Sequence, residues 1–287
     1  MRSQPPEGLL QRVPLWRGAR TLECRALTGG HSNDSWLVLA DGAAAVLRRD
    51  RERVPPPVVD RGRELAVLRS AAAAGLAPEV LYADPGAGIL VTRYLEGEKP
   101  GPAQIGTPET LTEIAALLRR VHALPDPGVS YGLAEAGAVY LASIRNPALR
   151  RRGMELVQEL AELPAATPAE CRVCHMDPVA GNLIRTADGL RLVDWEFAVA
   201  GDPLFDLAAV IAYHDLGPAA AMHLLRAWSG RVSPRRRQRL AELIRAHDAL
   251  HWLWLAAGGD GPRERERVER RLAAEPLPEP GRGYRRS

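Results

Sequence analysis

Residues 171–194 read CRVCHMDPVAGNLIRTADGLRLVD, and they admit incompatible readings. Cys171, Cys174 and His175 spell CxxCH, the spacing at which a c-type haem is attached. His175, Asp177 and Asn182 spell HxDxxxxN, the spacing of a loop that serves phosphoryl transfer. Haem attachment needs an exported chain and a distal ligand. The N-terminal MRSQPPEGLLQRVPLW carries two early prolines and no apolar run of the roughly 7 to 15 residues that a secretory signal needs, so export is not indicated. A zinc site would draw three ligands from Cys171, Cys174 and His175, and no second CxxC or HxxxH completes a closed tetrahedron. A plainer reading makes CRVCH a short buried strand in which cysteine packs as a small hydrophobe.

The residues that follow favour the HxDxxxxN reading. LIRT, a turn at ADG and LRLVD form two short runs around an Asp-Gly turn, a strong hairpin signal. Asp177 then closes one strand, Asn182 sits on the next loop, and Asp194 lies at the far end of a hairpin that brings the chain back. A transferred phosphoryl group spreads negative charge over its oxygens, so a protein mainly positions the partners and lets hard cations neutralise the charge. Mg²⁺ takes oxygen ligands and keeps several waters, which suits Asn182 and Asp194 as its protein ligands. Asp177 would accept or orient the proton of the attacking hydroxyl. His175, just before the loop, reads as a structural hydrogen-bonding residue.

Composition bounds the alternatives. At 287 residues, with 46% apolar and 25% charged residues, the chain can build two lobes or one large domain, and disorder is not expected. The formal charge of +3 is too small to argue for nucleic acid, and the clusters Arg150–Arg152 and Arg235–Arg237 read as solvated surface. The longest apolar stretches, LAAVIAY and LHWLWLAA, fall short of the ~20 residues that span a bilayer, so no membrane association is expected. Three cysteines read as free thiols, and the cytoplasm is the expected compartment.

The block CHMDPVAGNLIRTADGLRLVDWEFAVAGDPLFDLAAV resembles the aminoglycoside phosphotransferase and choline kinase family. HMDPVAGNL followed by LVDWEF is most similar to thiamine kinases and bacterial choline kinases. The resemblance implies an α+β, bilobal protein-kinase-like fold: a small antiparallel-sheet N-lobe with one helix, residues 1–95, and a larger, mostly helical C-lobe, residues 96–287. It also implies ATP as co-substrate and a small-molecule alcohol as acceptor.

Weaker matches precede the block in the right order. LTGGHSNDSWLV resembles the family's phosphate-covering loop, in which Gly29 and Gly30 let backbone approach the phosphates and Ser32 and Asn33 offer donors. AAAVLRR reads as a strand carrying Arg48 where lysine is familiar. Arginine keeps the charge but places a phosphate with a fork instead of a point. The expected partner of Arg48 is Glu64, on a helix whose Leu65, Leu68 and Ala72 share a face before a stop at Gly75. APEVLYADPGAGILVTRYLEGE reads as two strands around a Pro-Gly turn with a polar exit at Gly97. By resemblance the interlobe hinge falls at Thr92 to Leu95, where backbone at Arg93 and Leu95 would meet adenine.

The rest reads as helices, beginning with a cap at Thr107 and Pro108 ahead of the stripe Leu111, Ile114, Leu118 and Val121. RERERVERR reads as an exposed helix. Asp206 resembles the family's aspartate that braces the catalytic loop, while Glu196 is open between a metal contact and a solvent-facing role. A protein kinase would need an APE-like motif and an arginine in place of Met176, and has neither here. GDPLFDLA starts a helix soon after Asp194 and leaves little length for docking a peptide, so a small alcohol is the expected acceptor. A cationic metabolite, thiamine first and choline second, would be held by aromatic faces and carboxylates, with Trp228, Trp252 and Trp254 as candidate walls; simple core packing is the plainer reading of these tryptophans, since Trp252 and Trp254 are two apart and cannot share a helix face. An aminoglycoside antibiotic and a nucleotide-binding pseudokinase stand as alternatives, and the oligomeric state is open.

Overall fold

A computed structural model describes residues 5, 8–27, 33–51, 58–258, 261–274 and 277. The chain divides into two compact units, Met1–Pro100 with Ala180–Ala198, and Gly101–Val179 with Val199–Ser287. The segment 180–198, which follows the boundary expected at residue 95, is thus grouped with the first unit.

The first unit is built on a five-stranded antiparallel sheet. Its strands are β1 (Leu22–Leu27), β2 (Asn33–Ala40), β3 (Ala43–Asp50), β4 (Val80–Asp84) and β5 (Ile89–Arg93), in the order β1-β2-β3-β5-β4. Asp41 and Gly42, both at positive φ, make the tight β2–β3 turn and set Ala40 opposite Ala43. Alternation along β3 turns Ala45 and Leu47 into a core with Val13, Trp16, Trp36, Val38 and Val91. The same alternation sends Arg48 and Asp50 to the other face, where they meet the helix α1 (Arg61–Ala73).

Asp60 caps α1 by accepting from the Arg63 N–H at 2.8 Å, and Gly75 at φ +69° ends it. The buried face of α1 differs from the expected one. Arg63, Glu64, Val67, Leu68 and Ala71 are buried, while Leu65 and Ala72 are only half-buried. Polar partners draw Arg63 and Glu64 inward and rotate the face: Arg63 donates to the carbonyls of Ala198 and Val58, and Glu64 accepts from two arginines.

The Asp-Gly hairpin, β7 (Leu183–Thr186) paired with β8 (Gly189–Leu192), belongs to the first unit. Glu98 and Arg185 bridge by two backbone hydrogen bonds, of 2.8 and 3.2 Å. Gly97 makes that approach possible, because a Cβ there would collide with the Arg185 carbonyl.

The second unit is mostly helical: α2 (Pro102–Ile105), α3 (Pro108–Val121), α4 (Leu133–Ser143), α5 (Pro147–Glu162), α6 (Leu204–Tyr213), α7 (Pro218–Ser229), α8 (Pro234–Ala256) and α9 (Pro262–Leu272). Its two short strands, β6 (Arg172–Cys174) and β9 (Val199–Gly201), pair antiparallel, so CRVCH does hold a short strand with Val173 and Cys174 buried. Thr107 caps α3, and Leu111, Ile114, Leu118 and Val121 are all buried. The helix read as exposed, α9, instead docks against α8 and buries Val268 and Leu272. Its charges face outward or pair, as Arg271 does with Asp248 at 2.7 Å. Among the described residues no helix is long and apolar enough to cross a membrane.

Candidate active site

In the second unit the HxD stretch leaves β6 in an unusual conformation. His175 is fully buried, and Met176 sits at φ +71°, a left-handed value that a non-glycine residue adopts only when its surroundings impose it. Asp206, fully buried in the first turn of α6, supplies the constraint: Oδ2 accepts from the His175 N–H at 3.0 Å and Oδ1 from the Met176 N–H at 2.8 Å. The Asp177 N–H donates to His175 Nδ1 at 3.3 Å, and Asp177 itself is half-buried. Both His175 and Asp206 are therefore placed on the backbone that carries Asp177.

The haem and zinc readings of CxxCH find no support in the geometry. Cys171 is half-buried and Cys174 buried, and burial pushes both thiols up, away from the thiolate a metal needs. Cys174 lies instead with His122 and Asp206 in a buried cluster that does not include Cys171 or His175.

In the first unit the β7–β8 register brings the ends of the hairpin together. The Val193 N–H donates to the Asn182 carbonyl at 2.9 Å, next to Asp194. Asn182 is half-buried. Asp194 holds φ +64° and leaves its side chain 40% exposed, with Oδ1 at 3.6 Å from Arg48.

Arg48 and Glu64 form the pair that the sequence led us to expect, a fork on a fork at 2.5 and 2.7 Å. Burial pushes the Glu64 carboxyl up, but Arg48 and Arg61 outweigh it and hold the group below its ordinary range. Arg61, which the sequence reading missed, is the hub of this network. It donates to Asp50 (2.8 Å), Glu64 (2.7 Å) and Glu196 (3.0 Å), and to the Asn33 Oδ1 at 3.3 Å. Glu196, left open between two roles, is buried and also accepts from Asn33 Nδ2 at 3.0 Å. The side chain of Asn33, expected at the phosphates, is thus engaged at both ends by Glu196 and Arg61.

Two further expectations meet the geometry differently. Arg93 is exposed and pairs with Glu79, its N–H donates to the Glu79 carbonyl, and the Tyr94 N–H donates to Ala44. The sheet already occupies those amides, and Leu95 is half-buried just beyond them. Gly30 and Ser32 lie outside the described residues.

Charge in the first unit tests the fit to a divalent cation. Two guanidinium groups, Arg48 and Arg61, stand against four carboxylates within ion-pair distance of them, Asp50, Glu64, Asp194 and Glu196. The network carries an excess of negative charge, and its exposed carboxylate is Asp194. An oxygen-rich group with that surplus fits Mg²⁺.

Comparison with known proteins shows the family of the chain. Residues 23–243 match the family described as Phosphotransferase enzyme family. A thiamine kinase of Salmonella paratyphi A is 32% identical over 71% of this chain and 69% of its own length. The crystal structure of a choline/ethanolamine kinase family protein from Mesorhizobium loti superposes with a TM-score of 0.69 and 26% identity, covering 92% of this chain and 90% of that one. The choline kinase LicA from Streptococcus pneumoniae, at 22% identity and a TM-score of 0.70 over 86% and 94% of the two chains, shares the fold. The chain belongs to the phosphotransferase enzyme family, with the α+β protein-kinase-like fold, and is a small-molecule kinase.

Proposed function

We propose that the chain transfers the γ-phosphate of ATP to a hydroxyl of a small cationic metabolite, thiamine first and choline second. A ladder of rings in the second unit carries the choice of a cation. Tyr213 on α6 stacks with His251 on α8 (centroids 6.0 Å apart, planes at 26°), and His251 leans on Trp254 (6.1 Å, 38°). Tyr213 is exposed, and His251 and Trp254 are half-buried. Burial, with the charges of His247 and Arg271, holds His251 down to about 3, so it faces a ligand as a neutral ring. Burial also pushes the Tyr213 phenol up, and the charge of Asp177 adds to that shift. The faces of such rings attract a cation. Arg267 and Arg271, whose charges help to keep His251 neutral, are paired with Asp215 and Asp248, which reduces the positive charge they present to a bound cation. Of the three candidate tryptophans only Trp254 joins the ladder: Trp252 is buried in the core, and Trp228 bonds to His122.

In this reading Asp177 takes the proton of the acceptor hydroxyl as its oxygen bonds to the γ-phosphorus, and the bond to the β–γ bridging oxygen breaks to release ADP. Asn182 and Asp194 would hold Mg²⁺, which would neutralise charge on the phosphates. Residues 1–95 serve as the nucleotide-binding lobe, in which Arg48, fixed by Glu64, presents its charge to phosphate. The thiamine kinase relative supports the first choice of acceptor. The test is kcat/KM for thiamine, choline, ethanolamine and kanamycin, with Trp254→Ala alongside. Thiamine should lead, and Trp254→Ala should raise its KM about tenfold, between the sizes of an exposed and a fully desolvated cation–π contact. A preference for kanamycin, or an unchanged KM, would overturn the reading.

A further inference from the structure

We infer that His122 and Trp228 are positioning residues for Asp177, joined to it through Asp206 in one hydrogen-bond chain. The inference rests on Asp177 acting as the proton acceptor. All the residues belong to the second unit. Trp228 Nε1 on α7 donates to His122 Nδ1 at 3.0 Å, with the two rings edge to face at 5.6 Å and 75°. His122 Nε2 lies 3.0 Å from Asp206 Oδ2, and His122 is buried at the C-terminal end of α3.

An indole N–H only donates, so Nδ1 of His122 must be its acceptor nitrogen. The hydrogen of the imidazole then sits on Nε2 and points at Asp206. Trp228 and Asp206 in this way select the tautomer together. Were the hydrogen on Nδ1, Nε2 would turn a lone pair toward a buried carboxylate and the contact would become repulsive.

Asp206 has no exposure to water, so its charge depends on protein donors. Its Oδ2 takes both the His122 Nε2–H and the His175 N–H, and Oδ1 takes the Met176 N–H. Removing the imidazole donor leaves Oδ2 with the single backbone N–H and frees the carboxylate to turn. The carboxylate is what holds Met176 at φ +71°, one residue before Asp177. Relaxation of Met176 therefore moves the base.

The same accounting rules out a metal at the buried cluster of His122, Cys174 and Asp206. The lone pair of His122 is taken by Trp228, its other nitrogen carries hydrogen, and burial keeps the Cys174 thiol protonated.

The experiment combines ¹⁵N NMR of the His122 ring with steady-state kinetics, using thiamine as acceptor. The wild type should show the Nε2–H tautomer, and Trp228→Phe, which leaves Nδ1 without its donor while Asp206 still holds the Nε2–H, a shifted Nδ1 resonance with reduced kcat. His122→Phe should lower kcat about 10- to 100-fold, the scale of a small misplacement of a reacting group, with KM for ATP nearly unchanged. His122→Gln, which returns an N–H donor toward Asp206, should recover much of the loss. An Nδ1–H tautomer in the wild type, wild-type kcat in His122→Phe, or a glutamine no better than phenylalanine would overturn the chain. The tautomer is read on wild-type protein, so the test survives a variant that fails to fold. Asp177→Asn separates the two readings. A loss there with none in His122→Phe rejects the brace alone, and wild-type kcat in Asp177→Asn rejects the base and with it any brace acting through it.

Discussion

Arg61 shows what one guanidinium can hold together. Its three nitrogens reach β3 through Asp50, its own helix through Glu64, β2 through Asn33 and the DWE segment through Glu196. Arg61→Ala would leave the buried Glu196 and the half-buried Asp50 without their cation. Breaking a buried pair from one side costs on the order of 3–5 kcal/mol, and urea unfolding should register a loss of that size. Arg61→Lys should recover little, since one ammonium cannot span four acceptors. At this scale the sequence was legible where chemistry is local. Asp177, Asn182 and Asp194 stand out through residue type and spacing. Arg61 and Glu196 stay hidden because they are 135 positions apart and are plausible surface residues by type. Only the i,i+3 pairing of Arg61 with Glu64 could have drawn attention to the arginine.

Hairpins and caps were the most readable elements. The Asp-Gly turn of β7–β8, the turn between β4 and β5, and Thr107 with Pro108 are encoded by a few adjacent residues. The faces of α1 and α9 were not, because what a helix buries depends on distant partners. In α1, cations and carbonyls pulled in Arg63 and Glu64; in α9, docking on α8 covered Val268 and Leu272. The bridge between Glu98 and β7 gives a prediction at this scale. Gly97→Ala forces a Cβ against the Arg185 carbonyl at a φ of +155°, where side chains are rarely accommodated. A loss of about 2 kcal/mol is expected, within the usual range for strained glycine sites. Hydrogen exchange at the Glu98 and Arg185 amides, which form the bridge, should accelerate in the variant. Unchanged exchange and stability would mean that the close approach is not needed.

The whole molecule responds to acid through groups that burial keeps from titrating normally. Burial and Arg267 push His214 down to about 4, and burial with His247 and Arg271 pushes His251 down to about 3, both from an ordinary 6.5. For each, the unfolded chain binds a proton more readily than the folded one, so the contribution is complete above pH 6.5 and is lost as pH falls toward 4 and 3. Glu64 and Asp248 act in the same direction at lower pH, because despite burial their cationic partners hold them below the ordinary carboxylate range. Urea midpoints should therefore fall steadily from pH 7 to pH 4, and His251→Phe should flatten the upper part of that slope. A midpoint independent of pH in this window would contradict the assignment.

The division of the chain was the least legible feature, because the return of 180–198 to the first unit depends on pairings such as Glu98 with Arg185 and Leu192 with Leu76. The role of Asp177 bears most directly on the function, and one measurement addresses it: thiamine-dependent ADP release by the wild type and by Asp177→Asn at saturating ATP. The account predicts that kcat falls by about 10²- to 10⁴-fold, as for loss of a general base, with KM for ATP nearly unchanged. Wild-type turnover in Asp177→Asn would contradict it.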